Sequence, residues 1–281
     1  MLALLVASLV LGNKPFDDTK GSFTFEKLDV PDSTSTEWDG INTQGDIVGF
    51  FVDKSGKQHG VLDQKGKFTQ LDYPGGSQTR TVGINNQGEI VGSFTDSSGA
   101  QRALIYRNGV YAQFNYPGAT STMALGVNDA HEIVGKFTGK DGKTHGFLKR
   151  AAAFTQLDFP GGSDTSAFCI NNRSEIGGSF NDASGAQQAF IRRGKTYMQL
   201  KPPGAITSVA YGLNVHGNVV GSFTDSASAG SGFFEVAGKF TQLNFPGASS
   251  TDSNGINSEL RIVGDYFDSN KVEHGYVAKP D

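Results

Sequence analysis

The chain has 281 residues, a formal net charge of −4 and a single cysteine. An acidic balance provides no basic face for a phosphate backbone, which excludes nucleic acid as a partner, and one cysteine cannot form a disulfide within the chain. The 38 glycines, 9 prolines and 21 phenylalanines are typical of many short strands joined by tight turns.

The first 22 residues differ from the rest of the chain. Residues 1–12 (MLALLVASLVLG) form an apolar run that is too short to span a bilayer and is similar to the hydrophobic region of a secretory signal, without its cationic start. A polar linker follows at 13–22. We therefore expect an exported protein, extracellular or periplasmic; a retained run would instead dock as a short helix or strand, or insert into a second copy.

From Phe25 onwards the chain consists of six copies of a 43-residue unit. The tripeptide at the centre of the unit recurs without insertion or deletion as Gly40-Ile41-Asn42, Gly83-Ile84-Asn85, Gly126-Val127-Asn128, Cys169-Ile170-Asn171, Gly212-Leu213-Asn214 and Gly255-Ile256-Asn257. A period of this length indicates a repeat architecture. Because no change of composition interrupts the repeats, residues 23–281 are predicted to form one domain.

Each unit contains four short stretches with the composition of strands. In the second unit they lie at 68–72, 79–85, 90–95 and 100–107, separated by turn-forming Gly, Pro, Asn and Asp residues. The stretch at 90–95 has apolar residues on both faces, which predicts a small sheet buried on both sides. Its glycine, Gly92, is expected to face an aromatic ring of the next sheet and so allow close stacking.

The two ends of the chain predict how the repeats close. The chain begins with a lone copy of the fourth strand at 25–29 and ends after a copy of the third strand at 274–277. If the N-terminal strand completes the last sheet, both edges are satisfied. The prediction is an all-β fold, a six-bladed β-propeller closed by a 1+3 clasp. An open solenoid would need polar capping repeats, and the sequence contains none.

The repeat motifs resemble a known family. Leu-Asp-x-Pro-Gly, Gly-Ile-Asn-x-x-Gly-x-Ile-Val-Gly and His-Gly-Phe-Leu are similar to the HAF family of bacterial extracellular repeats, over nearly the whole chain. This resemblance implies export and a propeller-like fold, and it implies no activity. Arg102, Gln188 and Ser231 replace the histidine of the family motif, which argues against a catalytic role for that position in every blade.

On a repetitive scaffold, functional residues are expected at the positions where the residue type differs between repeats. The first strand of the unit has two variable columns, which read Glu37, Arg80, Met123, Ser166, Val209, Asp252 and Asp39, Val82, Leu125, Phe168, Tyr211, Asn254. The polar members belong to blades six, one and two, which become neighbours when the ring closes. If the first strand is innermost, the predicted ligand-binding residues at the pocket mouth are Glu37, Trp38, Asp39, Arg80, Asp252 and Asn254.

Within this set, two carboxylates and an arginine would also suit acid/base catalysis, so the candidate catalytic residues are Glu37, Arg80 and Asp252. The alternative, which we favour, is that these residues form a structural ion cluster in the channel, where they pair with one another and have no catalytic role.

Three other columns have structural explanations that compete with binding. An aspartate that opens the turn after the second strand could bind calcium or sugar hydroxyls, but each turn offers one carboxylate where calcium needs several oxygen ligands. No cofactor or metal site is therefore predicted, with calcium kept as an alternative. The six asparagines of the central tripeptide are expected to cap turns. His59, His145 and His274 share one column, but their blades are too dispersed for a zinc site.

The sequence favours a secreted binding module for glycans or an extracellular protein. It has no nucleophile elbow, phosphate-binding glycine loop or dense metal motif, so an enzyme is less favoured. The alternatives are a hydrolase, lyase or lactonase that acts on a carbohydrate or lactone, and a self-assembling extracellular protein.

Overall fold

The structure is a computed structural model that describes residues 22–227 and 230–281. The apolar run and most of the linker lie outside these residues. Six four-stranded antiparallel sheets are arranged as a β-propeller, and the described residues contain strands and turns without a helix. Accordingly, no helix among them could cross a membrane.

The strands take equivalent places in every blade. The innermost strands are β2 (Ser35–Ile41), β6 (Ser77–Ile84), β10 (Ser121–Val127), β14 (Ser163–Ile170), β18 (Thr207–Leu213) and β22 (Ser250–Ile256). The second strands are β3 (Ile47–Val52), β7 (Ile90–Thr95), β11 (Ile133–Thr138), β15 (Ile176–Asn181), β19 (Val219–Thr224) and β23 (Ile262–Phe267). The third strands are β4 (Gln58–Gln64), β8 (Gln101–Arg107), β12 (Thr144–Arg150), β16 (Gln187–Arg193), β20 (Gly230–Val236) and β24 (Glu273–Pro280). The outer strands are β5 (Lys67–Leu71), β9 (Val110–Phe114), β13 (Ala153–Leu157), β17 (Thr196–Leu200), β21 (Lys239–Leu243) and, for blade 6, β1 (Phe23–Lys27).

The N-terminal strand closes the ring, as the register of the repeats predicts. β1 pairs antiparallel with β24, from Phe23 opposite Pro280 to Lys27 opposite Tyr276. The blade-6 sheet therefore has the order β1-β24-β23-β22. The 1+3 clasp satisfies the backbone edge of the last blade with a strand from the other end of the chain.

Every innermost strand carries a β-bulge at the same place. In β2 the pairing with β3 shifts between Trp38 and Gly40, which leaves Asp39 without a partner, and the other five inner strands shift at the equivalent residue. A bulge re-aims side chains and is common next to binding sites.

The glycine column of the second strand exists because of this distorted pairing. The column consists of Gly49, Gly92, Gly135, Gly178, Gly221 and Gly264. A Cβ added to Gly135 would lie 2.0 Å from the carbonyl oxygen of Met123. A Cβ added to any of the other five would lie 1.9 or 2.0 Å from the equivalent carbonyl oxygen of its own blade. The expected contact with an aromatic ring of the next sheet is therefore corrected: this glycine accommodates the inner strand of its own blade. The aromatic residue two positions later stacks on the loop that joins two blades, since Phe137 lies 3.7 Å from Tyr116, between β9 and β10.

The six asparagines of the central tripeptide connect the blades in a closed ring. Each side-chain Nδ2 donates to the backbone carbonyl of the equivalent asparagine in the next blade at 3.0–3.4 Å, and Asn257 returns the ring to Asn42. Each Oδ1 also accepts backbone N–H groups of its own turn, as Asn214 does from His216 and Asn218. The asparagine thus caps a turn, as expected, and also joins two blades.

This double role predicts a graded loss of stability at Asn214. Asn214→Asp retains the turn acceptor and removes the donor to Asn257, and we expect it to lower the free energy of unfolding by about 1–2 kcal/mol. Asn214→Ala removes all three hydrogen bonds and should cost about 2–4 kcal/mol. Urea denaturation measures both; equal costs for the two variants would mean that the blade-to-blade bond contributes nothing.

Candidate functional site

The six innermost strands surround a cavity on the propeller axis with a volume of about 400 Å³. It opens at the end of the propeller where these strands begin. The bulge places the second variable column on its wall, and all six members of that column line the cavity: Asp39, Val82, Leu125, Phe168, Tyr211 and Asn254. Of the first variable column, Glu37, Arg80, Met123 and Asp252 line it. The cavity is thus formed where the repeats differ most.

Glu37, Asp39 and Arg80 form one ion cluster on blades 1 and 2. The guanidinium donates from Nη2 to Glu37 and to Asp39 Oδ1 at 2.6 Å, and from Nε to Asp39 Oδ2 at 3.2 Å. Its Cζ also lies 4.7 Å from the ring centre of Phe50. Burial raises the pKa values of both carboxyl groups, and the positive charge of Arg80 offsets this increase only in part. The arginine is held in place by this cluster through Nε and Nη2, and two carboxyl groups face its charge.

Blade 6 adds three carboxyl groups, none of which forms an ion pair with a basic side chain in the described part of the chain. Asp252 and Asp265 are directly opposite each other on β22 and β23, and Glu273 begins β24. Asn254 donates to Asp265 Oδ1 at 2.9 Å and to the carbonyl of Trp38 at 3.1 Å. Burial raises the pKa of all three carboxyls, and the charges of Asp252 and Glu273 raise that of Asp265 further. Glu37, Asp39, Asp252, Asp265 and Glu273 are called the acidic wall below.

The opposite side of the cavity is mainly apolar. Met123, Leu125, Phe168 and Tyr211 lie on blades 3 to 5, and the rings of Phe168 and Tyr211 meet edge to face at 5.0 Å. Burial raises the pKa of the Tyr211 hydroxyl, which therefore stays protonated at neutral pH. One charged residue, Lys136 of β11, also lines this side.

Five of the six ligand-binding residues predicted from the sequence share this cavity, and one does not. Trp38 is completely buried and packs between blades 1 and 6, where its indole Nε1 donates to the carbonyl of Leu28 at 2.7 Å. Its placement at the pocket mouth is therefore corrected: side chains alternate along a strand, so Trp38 points away from the face that Glu37 occupies.

Lys136, Asp265 and Glu273 also line the cavity, and the variable columns of the inner strand do not identify them because they lie on the second and third strands. A further pattern in the sequence does mark two of them. Between the constant glycine and aromatic residue of the second strand lies a variable column that reads Phe50, Ser93, Lys136, Ser179, Ser222 and Asp265. Its members are directly opposite the first variable column and share its face.

The aspartates considered for calcium serve their own turns. Asp53 Oδ1 accepts hydrogen bonds from the backbone N–H groups of Ser55 and Lys57, and the hydrogen bonds of this turn hold the pKa of Asp53 below its usual range. His59 lies between Asp53 and Asp72, with its Nδ1 2.8 Å from Asp72. In the described part of the chain, no group of three or more His, Cys, Asp or Glu residues could hold a metal ion.

A ring of aliphatic side chains forms the floor of the cavity. It consists of Ile41, Ile84, Val127, Ile170, Leu213 and Ile256, all between 6% and 9% exposed. The same residues line a second, polar cavity of about 180 Å³ on the asparagine side, which also contains Asp129. The aliphatic ring therefore separates two cavities on one axis.

The acidic wall is expected to destabilise the folded protein at alkaline pH. Because the pKa of Asp265 is raised on folding, the folded state binds more protons between the unfolded and folded pKa values, and stability falls as the pH rises through that window. Asp265→Asn keeps an acceptor for Asn254. We expect it to raise the melting temperature at pH 8 and to have a much smaller effect at pH 4. The exposed Glu26→Gln is the control; an equal effect in both variants would contradict the prediction.

Neither a family model nor a curated protein sequence matches the chain. Solved structures do match it. A mutant of the Aleuria aurantia lectin in complex with alpha-methyl-L-fucoside is 10% identical with a TM-score of 0.53, over 90% of this chain and 93% of the lectin. A mutant of AofleA from Arthrobotrys oligospora is 10% identical with a TM-score of 0.57, over 92% of this chain and 87% of that protein. TolB from Acinetobacter baumannii is 10% identical with a TM-score of 0.59, over 84% of this chain and 64% of TolB. Similarity at these identities shows the shared propeller fold.

Proposed function

We propose that this chain is a glycan-binding module and that the axial cavity is its binding site. The observation that carries the proposal is the division of one cavity into an acidic wall and an apolar, aromatic wall. Its volume of about 400 Å³ is in the usual range of small-ligand sites. A repeat scaffold does not need this asymmetry, because an apolar lining would close the axis equally well.

A sugar ring has the matching division of chemistry. Its hydroxyl edge can donate to the carboxylates Asp252 and Glu273, and its C–H face can pack on Tyr211 and Phe168. Burial raises the pKa of Asp252 and Glu273, which favours the protonated form, and a protonated carboxyl group can donate to a sugar oxygen. Binding of a polyhydroxylated ligand would thereby compensate the burial of these groups.

Two further observations support the proposal. The Aleuria aurantia lectin with the same fold was solved with a fucoside, so this architecture is compatible with sugar binding. The apolar run at residues 1–12 agrees with export, which would place the module where glycans are exposed.

The test is a panel of soluble oligosaccharides measured by thermal shift and titration calorimetry. We expect at least one to stabilise the protein, and Asp252→Asn and Tyr211→Leu each to weaken its binding about tenfold or more. Asp129→Asn is the matched control, because it removes the same charge in the second cavity. Binding that responds to Asp129→Asn and not to Asp252→Asn would move the site to the asparagine side; no binding to any oligosaccharide would contradict the proposal.

One observation favours an enzyme on the same site. Asp252 and Asp265 are cross-strand neighbours and both have a raised pKa, as expected of a carboxyl group that serves as a general acid near neutral pH. Incubation of the bound oligosaccharide with wild-type protein and with Asp252→Asn, followed by mass spectrometry, decides between the two. Product that forms only with the wild type supports a hydrolase or lyase; an unchanged oligosaccharide supports binding alone.

A further inference from the structure

Lys136 is a charged residue that lines the axial cavity and forms no ion pair with another described residue. It is half-buried on the wall opposite blade 6, in the third of six blades. Burial lowers the pKa of its ammonium group, and the charge of Arg80 lowers it further. No hydrogen bond or ion pair is found between this ammonium group and any side chain in residues 22–227 and 230–281.

The fold does not require a lysine here. The equivalent residues of the other blades are Phe50, Ser93, Ser179, Ser222 and Asp265, so serine is sufficient in three blades. A lysine at this position loses hydration and rotamer freedom without gaining a partner. A lysine without an ion pair at such a place is explained when its partner arrives with a ligand.

The other cation of the cavity already has counter-ions in the protein. Arg80 donates from Nε and Nη2 to Glu37 and Asp39, whereas Lys136 forms no ion pair within the described residues, so a ligand anion would be its first counter-ion. The carboxyl groups lie across the cavity on blades 6 and 1. Burial raises the pKa of Asp265 and Glu273, which favours their neutral form and so lessens their repulsion of an anion. In either form these carboxyl groups can accept hydrogen bonds from sugar hydroxyls.

We propose that Lys136 binds the carboxylate of an acidic sugar, so that the ligands of the axial cavity are uronate-containing glycans. This inference rests on the proposed function and adds the ligand class to it. In this arrangement the sugar carboxylate pairs with Lys136, the hydroxyl groups face the acidic wall, and the C–H face contacts Tyr211. Lys136 is then the specificity-determining residue of the site.

The experiment compares oligogalacturonates with the same oligomers after methyl esterification, which removes the charge and keeps the sugar. With wild-type protein we expect the acid to bind about tenfold or more tightly than the ester, because a charge-assisted hydrogen bond is lost in the ester. Lys136→Met should reduce this ratio to about one, and Lys136→Arg should retain a clear preference. Lys195→Met, an exposed lysine distant from the cavity, should behave as the wild type.

The outcomes separate this inference from the proposed function. If the protein binds acid and ester equally, or if Lys136→Met keeps the preference, the assignment of Lys136 is overturned while glycan binding stands. If neutral oligosaccharides of the wider panel bind and oligogalacturonates do not, the ligand class is wrong. If no saccharide binds, both proposals are wrong.

Discussion

Gly135→Ala is expected to destabilise the propeller by about 3–5 kcal/mol, at the upper end of what a single substitution does. An alanine Cβ would lie 2.0 Å from the backbone oxygen of Met123 and 2.8 Å from two ring atoms of Phe147. A backbone oxygen cannot move aside as the end of a flexible side chain can. Strands β10 and β11 would have to separate, which also disturbs the bulge beside the cavity. Chemical denaturation measures the loss, and a melting temperature lower by about 6–20 °C should accompany it.

Gly142→Ala is the matched control in the same blade. Gly142 has a φ of 77° but has no heavy atom within 4 Å of an added Cβ. Alanine at this position should lower the free energy of unfolding only by the strain of a left-handed backbone, about 1–2 kcal/mol. If both substitutions cost the same, the close approach of the inner-strand carbonyl would not explain the glycine column.

Removal of the N-terminal strand is expected to cause the second large loss of stability. A chain that lacks residues 1–29 loses the whole pairing of β1 with β24, together with Phe25, whose ring contacts those of Tyr276 and Phe245 at 5.4 and 5.8 Å. It also loses the carbonyl of Leu28, to which the buried Trp38 donates. We expect the free energy of unfolding to fall by about 4 kcal/mol or more.

The reference for this truncation is a chain that lacks residues 1–21 and keeps β1. The difference between the two in urea denaturation measures the clasp alone. A free peptide of residues 22–29, added in excess, should restore part of the lost stability, because it can occupy the open edge of blade 6. Equal stability of the two truncated chains would mean that the asparagine ring and the packing between blades close the propeller without the strand.

The fold was predictable because its information is repeated six times. The 43-residue period gave the blade count, and the incomplete units at the two ends gave the clasp that pairs Phe23 with Pro280. The bulge was not predictable, since no residue type marks it: Asp39 and Val82 occupy the same bulged place. The role of Gly135 was misassigned for the same reason, because only the bulge brings a backbone oxygen against it.

The site was predicted in part. Variable positions of the inner strand led to Glu37, Arg80 and Asp252, which the structure brings into one cavity. The inner-strand pattern does not identify Asp265 and Lys136, because both lie on the second strand of their blades. The constant glycine and aromatic residues of that strand indicate packing rather than a binding site. The raised pKa of Asp265 depends on burial and on contacts between strands that only the folded chain defines.

The aliphatic ring from Ile41 to Ile256 lies between the axial cavity and the second cavity. Under the proposed function, a glycan would therefore enter the axial cavity tip first, from the end away from this ring, and would leave by the same opening. Such a cavity would suit chain termini and short fragments rather than the interior of a long polysaccharide. A bound chain would project away from the disc along its axis, which leaves the outer strands of all six blades free to contact other surfaces.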